Sequence, residues 1–257
     1  MRLKRILGLV LCGVAAAAPG LAQEAPAKPK AEEPKAAAAP TVDQILDKFA
    51  QALGGKAAFD KLTTRVSKGT FAIDAMNASG PIEITQKAPG KLVTTIEITG
   101  FGAIKEGTDG STAWAQDPVS GLRDKSGPEL AAAKLDGEFY RDIKLKQLYP
   151  KMEVKGKEKL GEREAYIISA TPPEGDPEKM YFDTQNGLLV RLDVEREGAQ
   201  GKLPFEIYYE DYREVDGVKL PFVTRLTNPA FAMTVTLSEV KHNAPVEDAK
   251  FNKPSAQ

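Results

Sequence analysis

Two hydrophobic periods divide the chain. Between Thr41 and Leu62 apolar residues recur at helical spacing, with Val42, Ile45, Leu46, Phe49 and Leu53 on one face. Thr41-x-x-Gln44 reads as a capping box at the start of that helix, and Gly54-Gly55 ends it. Lys56 to Leu62 predicts a further short helix. From Arg65 the period switches to two. Phe71 and Ile73, then Ile82 and Ile84, then Leu92, Thr94, Ile96 and Ile98 alternate with mostly polar neighbours, and a strand through Thr112 to Gln116 carries Trp114. Ser126-x-x-Glu129 with Pro128 in the first turn then signals a second helical stretch. Leu130, Leu135, Phe139, Ile143 and Leu148 form its apolar face, and Gly137 divides it into two short helices.

Alternation resumes from Met152 to the end of the folded part. Leu160-Gly161-Glu162, Asn186-Gly187 and Asp216-Gly217 read as hairpin turns between strands, the last two by the side-chain-free φ freedom that a tight turn demands. Leu188, Val190, Leu192 and Val194 fall on one parity, with Arg191, Asp193 and Glu195 on the other. Phe205, Ile207 and Tyr209 oppose Glu206, Tyr208 and Glu210, and the runs Val218, Leu220, Phe222 and Met233, Val235, Leu237 follow. The spacing predicts about eleven strands joined by short turns, hence antiparallel neighbours. The expected fold is mainly β (α+β): an open, strongly curved antiparallel half-barrel with short helices over its concave apolar face, because a sheet this long must curl or close.

Composition narrows the function classes. Across 257 residues, 35 basic residues face 36 acidic ones for a net charge of −1, so the excess of cations that neutralises nucleic-acid phosphates is lacking. One Cys and one His leave no set for structural zinc and no disulfide. The amino terminus reads as a secretory signal over residues 1–22: Arg2, Lys4 and Arg5 precede the apolar run Ile6 to Ala18, and Gly20-Leu21-Ala22 supplies the small residues of a cleavage site. That run is too short for a membrane span of about 20 residues, so no transmembrane span is expected in the mature chain. Cys12 follows Leu11 rather than a small residue, which reads as a Cys inside the signal and not as a lipid-anchoring site. The mature protein is then free of cysteine and expected in the periplasm. Residues 23–40, built of Ala, Pro, Lys and Glu, form an extended linker with nothing to bury. The folded domain spans 41–242 and a polar tail 243–257.

No catalytic constellation emerges. There is no Gly-x-Ser-x-Gly elbow, and Gly107-Thr-Asp-Gly110-Ser-Thr lacks the lysine of a phosphate-binding loop. His242 reads as an ordinary exposed histidine, and Glu162 and Glu164 as solvated residues flanking a turn. The chain is expected to be non-enzymatic, without cofactor or metal.

A pattern of strand ends and turns carries a resemblance. Gly156-x-Glu158-x-x-Gly161-x-x-x-Ala165-Tyr166 leads to Tyr181-Phe182-Asp183-x-x-x-Gly187-Leu188-Leu189-Val190-Arg191. Tyr209-x-Asp211-Tyr212-x-x-x-Asp216-Gly217-x-x-x-Pro221 follows, with Asp109-Gly110-x-x-x-Trp114 upstream. Over residues 41–242 this resembles the outer-membrane lipoprotein-sorting proteins of the LolA/LolB type. The resemblance implies an unclosed barrel whose helices lid an apolar cavity for acyl chains. It implies a lipid or acylated lipoprotein as ligand, an envelope protein as possible further partner, and no nucleic acid. The inward positions would form the cavity wall: Phe71, Ile73, Ile82, Ile84, Leu92, Ile96, Ile98 and Trp114 in the first half, and Leu188, Val190, Leu192, Phe205, Ile207, Val218, Leu220, Phe222, Val235 and Leu237 in the second. The alternative is a solid envelope module that senses or binds a protein partner without carrying lipid, with the same residues as ordinary core.

Overall fold

The computed structural model describes residues 39–198 and 201–255. The expected leader (1–22), Cys12 and the linker up to residue 38 lie outside the described residues. Ala39–Gln257 form one compact unit. Its helices are α1 (Val42–Ala52), α2 (Lys56–Phe59), α3 (Gly127–Gly137) and α4 (Leu145–Leu148), with short 3₁₀ turns at Asp74–Met76, Arg141–Ile143 and Asp248–Phe251. The strands are β1 (Thr64–Ile73), β2 (Ala78–Lys87), β3 (Lys91–Ile98), β4 (Gly102–Thr108), β5 (Ala113–Asp117), β6 (Gly121–Asp124), β7 (Lys151–Leu160), β8 (Arg163–Thr171), β9 (Glu178–Asp183), β10 (Leu189–Gly198), β11 (Gly201–Val215), β12 (Val218–Thr227) and β13 (Ala232–His242).

Among the described residues thirteen strands make one antiparallel sheet in the order β6-β5-β4-β3-β2-β1-β13-β12-β11-β10-β9-β8-β7. β6 and β7 each have a single neighbour among the described residues, so the sheet is open, as the alternation predicts. Two strands exceed the expected eleven. β4 (GAIKEGT) and β6 (GLRD) have glycines and charges where alternation needs apolar residues, and sheet pairing rather than side-chain pattern holds them. The sheet curls strongly enough that α3 touches β3, β4 and β5 on one arm and β10 on the other.

The capping box at α1 forms in full: the Thr41 N–H donates to Gln44 Oε1 at 2.9 Å and the Gln44 N–H to Thr41 Oγ1 at 3.2 Å, a contribution of about 1 kcal/mol. α1 buries Ile45, Leu46, Phe49 and Leu53 against the sheet, with Phe49 edge-on to Phe182 at 5.1 Å. Its end is fixed by close approach. A Cβ on Gly54 would lie 2.1 Å from the Gly217 carbonyl oxygen, and the Lys219 N–H donates to Leu53 O at 2.9 Å. Lys48 reaches from α1 to the carbonyls of Thr184 and Gln185 in the β9–β10 turn, each at 2.8 Å. The second capping box does not form. The Ser126 side chain makes no cap bond, and the Glu129 carboxylate, instead of reaching back to the Ser126 N–H, forks onto Arg123 with two contacts of 2.7 Å, a bidentate ion pair that outcompetes a neutral partner.

The inner face, which the helices cover, holds the main core. Ile168, Met180, Phe182, Leu189 and Leu192 pack there with α1, α2, Phe139 and Tyr149. The outer face is not uniformly wet. Phe251, fully buried, brings the carboxyl-terminal segment down onto Val93 and Trp114, so the polar tail expected from Asn243 onward contributes a core residue.

Candidate functional site

A cavity of about 440 Å³ lies between α3 and the inner face. Its floor is Leu192 and Val194 of β10, Phe205, Ile207 and Tyr209 of β11, and Leu226 of β12. Its roof is Ala132, Ala133 and Asp136 of α3. Small roof residues are the cause of the space: alanines on a helix leave unfilled what a leucine would occupy. A second hollow of about 460 Å³ borders the other flank of α3, between Leu130, Leu135, Leu148 and Pro172. A third, of about 290 Å³, separates the helix from the loop between β8 and β9. Within α3 itself only Gly137 is buried. There the helix presses on the sheet, since a Cβ would come within 2.8 Å of the Gly90 oxygen and of Thr108 Cγ2. α3 is therefore pinned at its carboxyl end and loosely packed along the rest.

A buried polar network meets the cavity through Asp136, Arg141 and Arg196. Glu178, 2% exposed at the start of β9, accepts from the Tyr149 hydroxyl at 2.5 Å, from Arg141 at 3.2 Å and from Arg196 at 3.1 Å. Arg141 also donates to Tyr149 Oη at 2.7 Å. Asp136 on α3 stands 3.5 Å from Arg196 and 3.6 Å from Arg141, so the helix is joined to this network by its two longest ion pairs. Burial opposes the charge of Arg141, yet the Tyr149 oxygen and the Asp136 and Glu178 carboxylates more than offset it and hold its pKa well above the ordinary value. Burial raises the Tyr149 and Tyr209 phenols, which stay neutral hydrogen-bonding groups.

A second polar cluster sits on β1 and β13. The Arg65 Nε–H donates to His242 Nε2 at 3.1 Å, and His242 Nδ1 lies 2.9 Å from Asp216 Oδ2. This fixes the neutral tautomer with its proton on Nδ1. The Arg65 guanidinium also lies 5.4 Å from the Phe139 ring centroid. The His242 side chain is 1% exposed, which corrects the expectation of an exposed histidine. Its acidic partner is Asp216 across the β11–β12 turn, whereas Asp248 pairs with Lys87 and Lys91.

The residues expected to wall a cavity separate into distinct places. Leu192, Phe205 and Ile207 line the cavity under α3. Leu188, Val218 and Leu220 are packed in the main core. Phe71, Ile73, Ile82, Ile84, Ile96, Ile98, Val235 and Leu237 form a second apolar cluster. It shares the inner face, because Ser67 pairs with Ile84 and Gly69 with Ile82 in register with Arg65 and Gln86 beneath Phe139. Leu92 lies half-buried on that face opposite Thr108. Phe222 is buried under the Arg213 guanidinium, 4.5 Å from its ring centroid.

Two residues fall on the outer face instead. Trp114 packs with Val93 and Phe251 and donates its indole N–H to Phe251 O at 3.1 Å. Val190 packs with Ala165 and Tyr181, because a bulge intervenes: Leu189 pairs with Phe182 but Arg191 with Tyr181. One extra residue reverses parity, so Leu189 joins the core and Val190 leaves it. Asp211, at φ 50°, separates Tyr209 and Tyr212, which both reach the core at a spacing that alternation forbids. Cavity residues beyond the expected set are Ala132, Ala133, Val194, Tyr209 and Leu226, with the charged Glu106, Lys125, Glu129 and Glu197 also in its lining, and the network adds Asp136, Arg141, Tyr149, Glu178 and Arg196. Alternation marks Val194 and Tyr209; no local signal marks the network, whose members come from two separate stretches, 136–149 and 178–196.

No family model matches the sequence, and no curated protein matches it. Solved structures do. A LolA superfamily protein from Nitrosomonas europaea superposes with a TM-score of 0.54 at 14% identity, over 84% of this chain and 99% of the other. A DUF1329 family protein from Desulfovibrio piger superposes with a TM-score of 0.56 at 15% identity, again over 84% and 99%. The chain shares their fold. Among the described residues no helix is long and apolar enough to cross a membrane.

Proposed function

We propose that the domain is a non-enzymatic binder or carrier of lipid-like or lipoprotein acyl ligands in the bacterial envelope, with the periplasm as its compartment. One observation supports this above the rest: α3 roofs an apolar floor with alanines, is hollow along both flanks, and bridges the two arms of an open sheet. A cavity of about 440 Å³ falls within the range of roughly 300–1,000 Å³ typical of small-molecule sites. Each methylene moved from water to such a floor contributes about 0.8 kcal/mol. The ligand displaces or lifts α3, and the helix returns over the floor on release, so the loaded and empty states differ in what covers Leu192, Phe205 and Ile207.

The test is native mass spectrometry of the protein from Gln23 onward, with lipid extraction. A stoichiometric acyl ligand is expected, lost in Phe205→Asp and Ile207→Asp proteins whose circular dichroism is unchanged. A protein that is empty as purified, and stays empty when offered phospholipid and acylated peptide, overturns the reading.

A further inference from the structure

All four large apolar side chains that stand exposed among the described residues lie at one end of the sheet. Met76 (68% exposed) is in the β1–β2 turn, Phe101 (46%) in β3–β4, Val119 (80%) in β5–β6, and Leu203 (39%) at the start of β11. Because every neighbouring pair is antiparallel, these connections and the β12–β13 turn share that end. The β12–β13 turn adds half-buried Phe231, whose ring meets Phe205 of the cavity floor edge-on at 6.5 Å. The turns at the opposite end carry Asp109, Glu162, Gln185, Asn186 and Asp216. Single exposed hydrophobics are ordinary, but folding gives no reason to gather them on one rim. Among the described residues none of the four belongs to a core cluster.

We propose that this rim docks on a lipid bilayer, with Met76, Phe101 and Val119 entering the headgroup–acyl boundary. Three features favour a bilayer over a protein. The tips sit on separate hairpins, whose turns repeat every second strand at roughly 10 Å, so they make a row of independent wedges rather than one flat patch. Along the sheet from β6 to β12, turns 74–77, 99–101, 118–120 and 228–231 contain a single charged residue, Asp74, while Glu174 and Asp176 of the β8–β9 loop stand at the same end of the other arm, so neither an ion-pairing partner nor an anionic surface is what the three tips fit. Finally, the Phe231–Phe205 contact makes the rim continuous with the cavity floor. Attachment is by apolar insertion and does not depend on salt. It needs no ligand in the cavity.

The chain from Gln23 onward keeps the whole compact unit and contains no cysteine, so single cysteines report position. A polarity-sensitive fluorophore on Phe101→Cys or Val119→Cys is expected to brighten and shift to the blue with zwitterionic phosphatidylcholine vesicles, equally at 50 and 500 mM salt. The same label on Glu162→Cys, at the other end, is expected to stay unchanged. Met76→Asp with Phe101→Asp is expected to lower vesicle co-flotation at least about tenfold, and these exposed positions leave the melting temperature within about 2 °C. No flotation, equal shifts at 101 and 162, or undiminished flotation of the charged variant overturns the proposal. Because lipid extraction reads the cavity and flotation reads the rim, failure of one leaves the other standing.

Discussion

His242 is the residue with the most to lose from a proton. Burial holds its pKa below the ordinary 6.5, the Asp216 bond works against that shift, and the Arg65 charge works with it. A proton on Nε2 removes the acceptor that Arg65 uses and sets two cations 3.1 Å apart. The unfolded chain takes up this proton as pH falls through 6.5, while the folded chain resists until lower pH. The unfolded state therefore binds more protons in that window, and stability falls as pH drops below about 6.5, levelling off under the folded-state pKa. Urea unfolding between pH 8 and 5 is expected to show this slope in the wild type and a flatter profile in His242→Asn; parallel profiles exclude the ring as the titrating group. Glu178 is the contrasting case, a carboxylate whose charge is answered on the spot by Arg141 and Arg196. Such a pair is held for position as much as for stability, since removing either side leaves a buried charge uncompensated.

α1 and α3 each have eleven residues, yet their attachments differ in kind. α1 has a complete capping box, buries Ile45, Leu46 and Phe49, and is bonded to the β9–β10 turn and, at its carboxyl end, to the start of β12. α3 lacks a side-chain cap, buries Gly137 alone, and holds the deep network through ion pairs of 3.5 and 3.6 Å. Local opening follows the density of buried apolar contact. Hydrogen exchange is expected to protect the amides of α1 at least tenfold more than those at 130–135 in α3, and bound ligand is expected to change α3 alone. Equal protection in the two helices contradicts the lid assignment.

At the scale of the molecule, the outer face of the first arm is sealed by the end of the chain. Phe251 is fully buried against Trp114, the sole tryptophan. Phe251→Ala is expected to cost about 3–5 kcal/mol and to shift tryptophan emission to the red before unfolding, while leaving ligand binding intact, since the cavity lies on the other face. An emission spectrum unchanged in the folded variant contradicts this packing.

Much of this architecture is legible along the chain for a physical reason: pairing in a sheet and burial of one face impose a period of two, and caps and tight turns demand particular residues. Thr41 and Gln44, the Asn186-Gly187 and Asp216-Gly217 turns, and the inward run of β11 are read directly, and an open antiparallel sheet with helical cover follows from them. Periodicity tells which residues share a face, but not what lies over that face. One extra residue at Val190 and one left-handed residue at Asp211 reverse the count without any local mark, and Phe251 covers Trp114 from more than a hundred residues away. Whether apolar side chains become solid core or the floor of a cavity depends on how closely α3 approaches them. That distance is set by Gly137, by alanines on the helix and by ion pairs spread from Asp136 to Arg196, which only the folded chain brings together.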